Sequence, residues 1–181
     1  MTELYPDIES IVLSESDIKA IVSKLGAEIS RDYEGLDPII VCVLRGAFVY
    51  TADLLRAITI PCTVDFMVIS SYGSRVKSSG QVRIRKDLDQ DIHGRHVIIA
   101  EDILDSGLTL QFLMENLQAR KPKSIKVVTL LRKEVPGQAD IDCFDIGFTC
   151  PNEFIVGYGL DYAERYRNLP YIGILKPEIY S

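Results

Sequence analysis

One domain, 1–181, is the natural reading of 181 residues, and a chain of that length buries enough surface to need no disulfide staples. With 47% hydrophobic residues it can fill a core, yet its longest apolar runs, such as Ile39 to Leu44, are far too short to span a bilayer. The formal net charge of −6 speaks against a nucleic-acid partner, which calls for a basic face, and leaves phosphorylated small molecules open as substrates.

Met1 to Asp7 lacks the basic and apolar stretches of a signal peptide. Cys42, Cys62, Cys143 and Cys150 show no CxxC spacing and sit among apolar residues, where a free thiol acts as a small hydrophobe. A reducing cytoplasm, with no membrane partner, is the expected setting.

Along the chain, Ser14 to Ser30 reads as a helix. Ser14 and Asp17 have the spacing of a capping box, and Ile18, Ile21, Val22, Leu25 and Ile29 form one apolar stripe. Pro38 opens the run Ile39 to Leu44, short and rich in β-branched residues, as in a strand buried on both faces. Ala47 to Ala57 reads as a second helix and Thr63 to Ile69 as a second strand. Ser71 to Gly80, rich in Ser and Gly, reads as a mobile loop. Gln81 to Arg85 alternates polar and apolar residues and is expected to pair across that loop as a hairpin. Arg95 to Ala100 and Ser124 to Leu131 are core strands flanking a helix over Leu108 to Arg120. Beyond Asp140, short strands are expected at Ile146 to Phe148, Phe154 to Val156 and Tyr171 to Leu175. Strands alternating with helices imply an α/β fold, a mainly parallel central sheet flanked by helices. Ligands then bind beyond the carboxyl ends of the strands, so the residues after each apolar run carry the functional information.

The most informative segment is Glu101-Asp102-Ile103-Leu104-Asp105-Ser106-Gly107-Leu108-Thr109, after the run Val97 to Ala100. Asp105 alone could be a helix N-cap. That does not explain two adjacent carboxylates at the end of a buried strand, where charge is unfavourable unless compensated. The Ser-Gly-x-Thr turn offers backbone N–H groups and hydroxyls to a phosphate at the start of a helix. Carboxylates just upstream suit ribose hydroxyls or a magnesium ion held largely through water. No G-x-x-x-x-G-K-[ST] occurs, and Gly157-Tyr158-Gly159 lacks the third glycine and following helix of a dinucleotide fingerprint. His93 and His96 have no third ligand nearby and read as structural.

Val97 to Thr109 resembles the phosphoribosyl diphosphate motif of the type I phosphoribosyltransferases, and its Glu-Asp-Ile-Leu-Asp-Ser-Gly form resembles their hypoxanthine-guanine branch. The resemblance runs from about Ile39 to Arg167. Leu44-Arg45-Gly46 is similar to the family's diphosphate-binding loop, which often carries a non-proline cis peptide. Ser71-Tyr72 is similar to the head of its flexible catalytic loop, and Leu131-Arg132-Lys133 to its purine-contacting segment. Phe154 to Tyr158 and Leu160-Asp161-Tyr162 resemble its purine-stacking and metal segments. Ser106 stands where many members have Thr, and Arg45 where many have Lys; each keeps the hydroxyl or the cation.

The resemblance implies transfer of 5-phosphoribosyl from 5-phosphoribosyl 1-diphosphate to hypoxanthine or guanine. It implies Asp105 as the proton-handling catalytic residue. Substrate contacts would come from Leu44, Arg45, Gly46, Ser71, Tyr72, Glu101, Asp102, Ser106, Gly107, Leu108, Thr109, Lys133, Phe154, Ile155 and Arg167. Magnesium is the implied cofactor, with Glu101, Asp102 and Asp161 as its protein ligands. Arg167 has an alternative role, pairing with an acid such as Glu164. The family also implies a small hood built from the termini and a homodimer or homotetramer. The same fold carries regulators, such as an RNA-binding attenuator of pyrimidine operons. The acidic charge and the Lys133 and Phe154 purine segment favour an enzyme.

Overall fold

The computed structural model describes residues 5–72 and 81–181. Its central sheet has six strands in the order β4-β3-β2-β5-β6-β7. These are β2 (Ile39–Leu44), β3 (Thr63–Tyr72), β4 (Gln81–Lys86), β5 (His96–Leu104), β6 (Ser124–Lys133) and β7 (Cys143–Cys150). All neighbouring pairs are parallel except β3 and β4, which form the expected hairpin.

Helices cover both faces. On one face α1 (Glu15–Asp32) and α2 (Phe48–Ala57) bring Ile18, Val22, Leu25, Ile29, Tyr50 and Leu54 against Ile40, Ile98 and Val128. On the other, α3 (Leu108–Gln118) sets Leu110, Leu113 and Leu117 on Ile39, Val41, Val97 and Ile99. The alternation along β2 and β5 therefore feeds two cores, which is why neither strand shows a polar face. Ser14 caps α1 with both bonds of a capping box, as its spacing with Asp17 predicts. All four cysteines are free, and burial pushes the Cys42 thiol up to about 11.

A second sheet, β1-β9-β8, joins β1 (Ile8–Leu13) to β8 (Ile155–Val156) and β9 (Ile172–Leu175) in antiparallel pairs. It carries its own small core of Ile8, Val156, Tyr166, Leu169, Tyr171 and Leu175. A terminal turn, α4 (Pro177–Tyr180), follows.

Several boundaries differ from the sequence reading. β5 runs to Leu104 rather than stopping at Ala100, because Glu101, Ile103 and Leu104 stay in register with Thr129, Leu131 and Arg132. β7 spans Cys143–Cys150 rather than Ile146 to Phe148, held by its parallel ladder with β6. α3 ends at Gln118, two residues before Arg120. β1 and α4 have no counterpart in the sequence reading. The expected mobile loop falls mainly on residues 73–80, outside the described residues.

In the strand order, the chain moves from β2 outward to β3 and β4, then returns to the far side of β2 with β5. The carboxyl ends of β2 and β5 thus form the topological switch point, where open α/β sheets hold their ligands.

Candidate active site

The segments that leave the switch point are Arg45-Gly46-Ala47 after β2 and Asp105 to Gly107 after β5. The Leu44–Arg45 peptide is cis. A Cβ on Gly46 would lie 1.8 Å from Asp102 Oδ2, so only glycine lets this loop close on the carboxylate. From the other side, a Cβ on Gly159 would lie 2.2 Å from the Gly46 carbonyl oxygen. The loop is therefore clasped between Asp102 and the segment that follows β8.

That segment carries its own ion pairs. Arg167 Nη2 lies 2.9 Å from Asp161 Oδ1 and 3.2 Å from Glu164 Oε2, and its Nη1 donates to the Gly159 carbonyl at 2.8 Å. The Glu164 N–H donates to Asp161 Oδ2 at 2.9 Å. Arg45 Nη1 reaches Glu164 Oε2 at 2.8 Å, so Glu164 bridges the two arginines. The pairing of Arg167 with Glu164, one of the two alternatives in the sequence, is present.

Leu44, Arg45, Gly46, Asp102, Asp161 and Arg167 together line a cleft of about 380 Å³. Ser70, Arg85 and Glu164 also line it, and the sequence reading gave none of them a ligand role. Ser70 and Arg85 reach the cleft because β3 and β4 continue past the switch point as a hairpin, a placement set by the ladder rather than by a local motif. A larger cavity of about 610 Å³ lies beside α1 and α2, lined by residues such as Lys19, Asp53 and Arg56. Among the described residues, Arg167 is the one expected site residue that lines it.

Asp102 is buried, and burial raises its carboxyl to about 6 against the opposing Ile103 N–H, which donates to Oδ1 at 2.9 Å. Glu101 Oε2 is a buried oxygen with no hydrogen-bond partner. Burial first, and the neighbouring Asp102 charge second, push the Glu101 carboxyl well above the ordinary carboxylate range. Asp102 lines the cleft and Glu101, buried beside it, does not; a perturbed acid at a cleft points to a functional site.

Among the described residues, no three His, Cys, Asp or Glu side chains converge as a ready-made metal cage. The donor set still fits magnesium. This hard cation keeps several waters and is usually held by one or two carboxylates together with substrate phosphates. Asp102 and Asp161 line the cleft, and the Glu101 oxygen lacks a partner.

Beside the cleft, Asp105 and Ser106 are exposed, and Gly107 takes the left-handed conformation (φ 79°) at the start of α3. No side chain caps α3, in contrast to α1. Leu108 and Thr109 sit exposed on its first turn. Lys133 ends β6, next to the end of β5. Ile155 begins β8 of the second sheet, rather than Phe154 as the sequence suggested, and Phe154 directly precedes it, packed against that sheet's core. The Phe154 ring stacks on Tyr180 (centroids 4.8 Å, 23°) and meets Tyr162 edge-on at 5.6 Å. Ser71 and Tyr72 end β3, and their side chains lie outside the described part of the structure.

A family model, the phosphoribosyl transferase domain, matches residues 10–163. A hypoxanthine-guanine phosphoribosyltransferase of Bacillus subtilis is 52% identical over 175 residues, covering 97% of each chain. One of Mycobacterium bovis is 51% identical over 186 residues, covering 99% of this chain and 92% of the relative. The crystal structure of a Staphylococcus aureus hypoxanthine phosphoribosyltransferase superposes with a TM-score of 0.93 at 46% identity, covering 97% of this chain and 95% of that one. The match in sequence and in fold has one conclusion: this chain belongs to the phosphoribosyltransferase family, alongside the relatives that bear the hypoxanthine-guanine name.

Proposed function

We propose that this protein is a purine salvage enzyme, transferring 5-phosphoribosyl from 5-phosphoribosyl 1-diphosphate to hypoxanthine or guanine to give IMP or GMP and diphosphate. The observation that carries the reading is the clasp of Leu44-Arg45-Gly46 against Asp102 at the switch point, with Asp105 directly after the end of β5. Leaving-group and ribose contacts thereby share one wall.

Breaking the anomeric bond builds an oxocarbenium-like centre, as in glycoside cleavage. Leu44, Arg45 and Gly46 offer backbone and cationic donors to the departing diphosphate, and Arg can grip it with two. Arg167 is held ready beside them by Asp161 and Glu164. Glu101 and Asp102 accept the ribose hydroxyls. Ser106, Gly107, Leu108 and Thr109 hold the 5-phosphate at the uncapped start of α3. Asp105 faces N7 of the purine and moves its proton. Lys133 donates to the 6-oxygen, Phe154 stacks on the ring, and backbone carbonyls near Ile155 and Asp161 meet the 2-position. Ser71 and Tyr72 head a loop that covers the centre from water. Magnesium, where bound, neutralises and orients the diphosphate; Asp102, Asp161 and Glu101 are the residues that would hold it. The sheet β1-β9-β8 serves as the hood, the whole chain acts as one domain, and the protein works in the cytoplasm as a homodimer or homotetramer.

The test is a comparison of kcat/KM for four bases with phosphoribosyl diphosphate and magnesium. Hypoxanthine is expected to be at least as good as guanine, xanthine much weaker and adenine almost inert. Lys133 has only donors, and a donor mismatch at such a site discriminates by up to about 10⁴–10⁵. Adenine matching hypoxanthine would remove Lys133 from the base site. No transfer to any base would end the reading.

A further inference from the structure

The segment between β6 and β7 contains no residue of the proposed substrate site, yet one of its side chains touches two elements that do. Gln138 donates from Nε2 to the Lys133 carbonyl at 2.7 Å and to the Asp105 carbonyl. The Leu104 carbonyl lies 3.4 Å from the same nitrogen. Gln138 Oε1 accepts from Arg132 Nε at 2.9 Å. This orientation of the amide is forced. Arg can only donate, so it must meet the oxygen; carbonyls can only accept, so they must meet the nitrogen.

These carbonyls have a common origin. β5 and β6 are parallel neighbours whose ladder reaches Leu104 opposite Arg132, and each chain then departs into its own turn. The carbonyls of Asp105 and Lys133 lie at or beyond the end of that ladder and look for donors elsewhere. One amide with two N–H groups satisfies both and ties the turns together. The next residue continues the support: the Ala139 N–H donates to the Ser106 carbonyl at 2.9 Å. Its methyl also lies close under the phosphate turn, 3.0 Å from where a Gly107 Cβ would be.

We infer that Gln138 is a positioning residue for the transfer, a bridge that sets Asp105 relative to Lys133 and so fixes where the base lies with respect to the group that moves its proton. The inference rests on the function proposed above, because the roles of Asp105 and Lys133 come from there. Gln138 meets no reacting atom; it acts by fixing two backbone carbonyls whose residues do. With the bridge intact, the reach from the base-reading cation to the proton-handling carboxylate is set by main-chain geometry rather than by the ligand.

Two variants test it. Gln138→Leu keeps the bulk and loses every polar contact. Gln138→Glu keeps the length and the acceptor for Arg132 but has no N–H at neutral pH, so it isolates donation to the carbonyls. In both, kcat is expected to fall and KM for hypoxanthine to rise, together lowering kcat/KM by roughly 10–100-fold, the scale of a misplacement near 1 Å. KM for phosphoribosyl diphosphate, gripped across the cleft by Leu44-Arg45-Gly46, should move less than about threefold, and Tm should stay within a few degrees. A fall in kcat with both KM values unchanged would mark lost active protein and overturn the inference. Wild-type hypoxanthine kinetics in Gln138→Glu, or failure of both variants to fold, would overturn it too. A wild-type protein without transfer activity would instead sink the proposed function.

Discussion

Replacing Gly159 by Ala tests whether the Leu44-Arg45-Gly46 loop, proposed to grip diphosphate, is held from behind. The new Cβ would lie 2.2 Å from the Gly46 carbonyl oxygen, whereas a close carbon–oxygen contact is about 3.3 Å. The difference requires a shift of roughly 1 Å between the two segments. Gly159 has little freedom to move away, because its N–H donates to the Arg167 carbonyl and its own carbonyl accepts from Arg167 Nη1. The loop must yield instead, and Asp102 stands on its other side. A 1 Å misplacement at a reacting centre lowers rate by about 10²-fold, so kcat/KM for phosphoribosyl diphosphate should fall by that order. Gly159 also has φ +102°, so the variant should lose about 1–3 kcal/mol of stability. Gly94→Ala is the control: its φ is +70° and nothing lies within 4 Å of the added methyl, so it should lose stability alone, about 1–2 kcal/mol. Steady-state kinetics at saturating hypoxanthine, with thermal melts of both variants, separate the two effects. Gly159→Ala retaining kcat/KM within threefold of wild type would refute the clasp.

Asp105→Asn keeps the shape of an exposed side chain and removes the base, so turnover should drop by roughly 10²–10⁴ while calorimetry still detects phosphoribosyl diphosphate binding; near-normal turnover would take Asp105 out of the mechanism. Tyr180→Ala removes the ring stacked on Phe154 at 4.8 Å, an interaction of about 0.5–1.5 kcal/mol, and should raise KM for hypoxanthine roughly 2–12-fold with little change for phosphoribosyl diphosphate; an unchanged base KM would mean the stack does not support the base. His96, with Nδ1 2.7 Å from Ser124 Oγ and a buried, unpartnered Nε2, has its pKa lowered by burial and then by Lys123. The unfolded chain therefore takes up this proton first, so the stability His96 contributes is present above about pH 6.5 and is lost as pH falls through that value toward its folded pKa. His96→Gln should flatten the loss of Tm between neutral and acid pH, and an identical acid slope in the variant would assign that loss to other groups.

What the sequence made legible followed from local chemistry. Ile39 to Leu44 is a strand with the expected bounds because its alternating apolar residues, Ile40 on one face and Ile39, Val41 and Val43 on the other, feed two cores. The Ser14–Asp17 box is a contact three residues long, and it formed. β1 was not legible, because its pairing partner Ile172–Leu175 lies at the opposite end of the chain. The end of β5 was misplaced for a different reason. Glu101 and Asp102 break the apolar run, and only the register with Thr129 and Leu131 keeps the segment extended. In the site, the motifs pointed to Asp102, Asp161 and Arg167, which line one cleft. Glu164 as a bridge between Arg45 and Arg167, Gln138 between Asp105 and Lys133, and Gly159 behind Gly46 are long-range approaches with no local signature.

That misread strand end also explains why the site lies where it does. A carboxylate in a turn could swing to water, but Glu101 and Asp102 are fixed by a parallel ladder that holds their backbone on both sides of the break. Burial pushes both carboxyls up, Glu101 well above the ordinary range and Asp102 to about 6, so holding either ionised in the ligand-free chain lowers stability. The loop at Gly46 sharpens this, because its main chain excludes water from Asp102 by direct approach. A ligand that brings hydroxyls or a bound cation meets acids already in position, so little ordering remains to be done on binding. On the proposed function, stability lost in the free protein is concentrated at residues the ligand would contact. Stabilising substitutions at Glu101 or Asp102 would act against binding, which is the trade-off expected where rigid elements carry the chemistry.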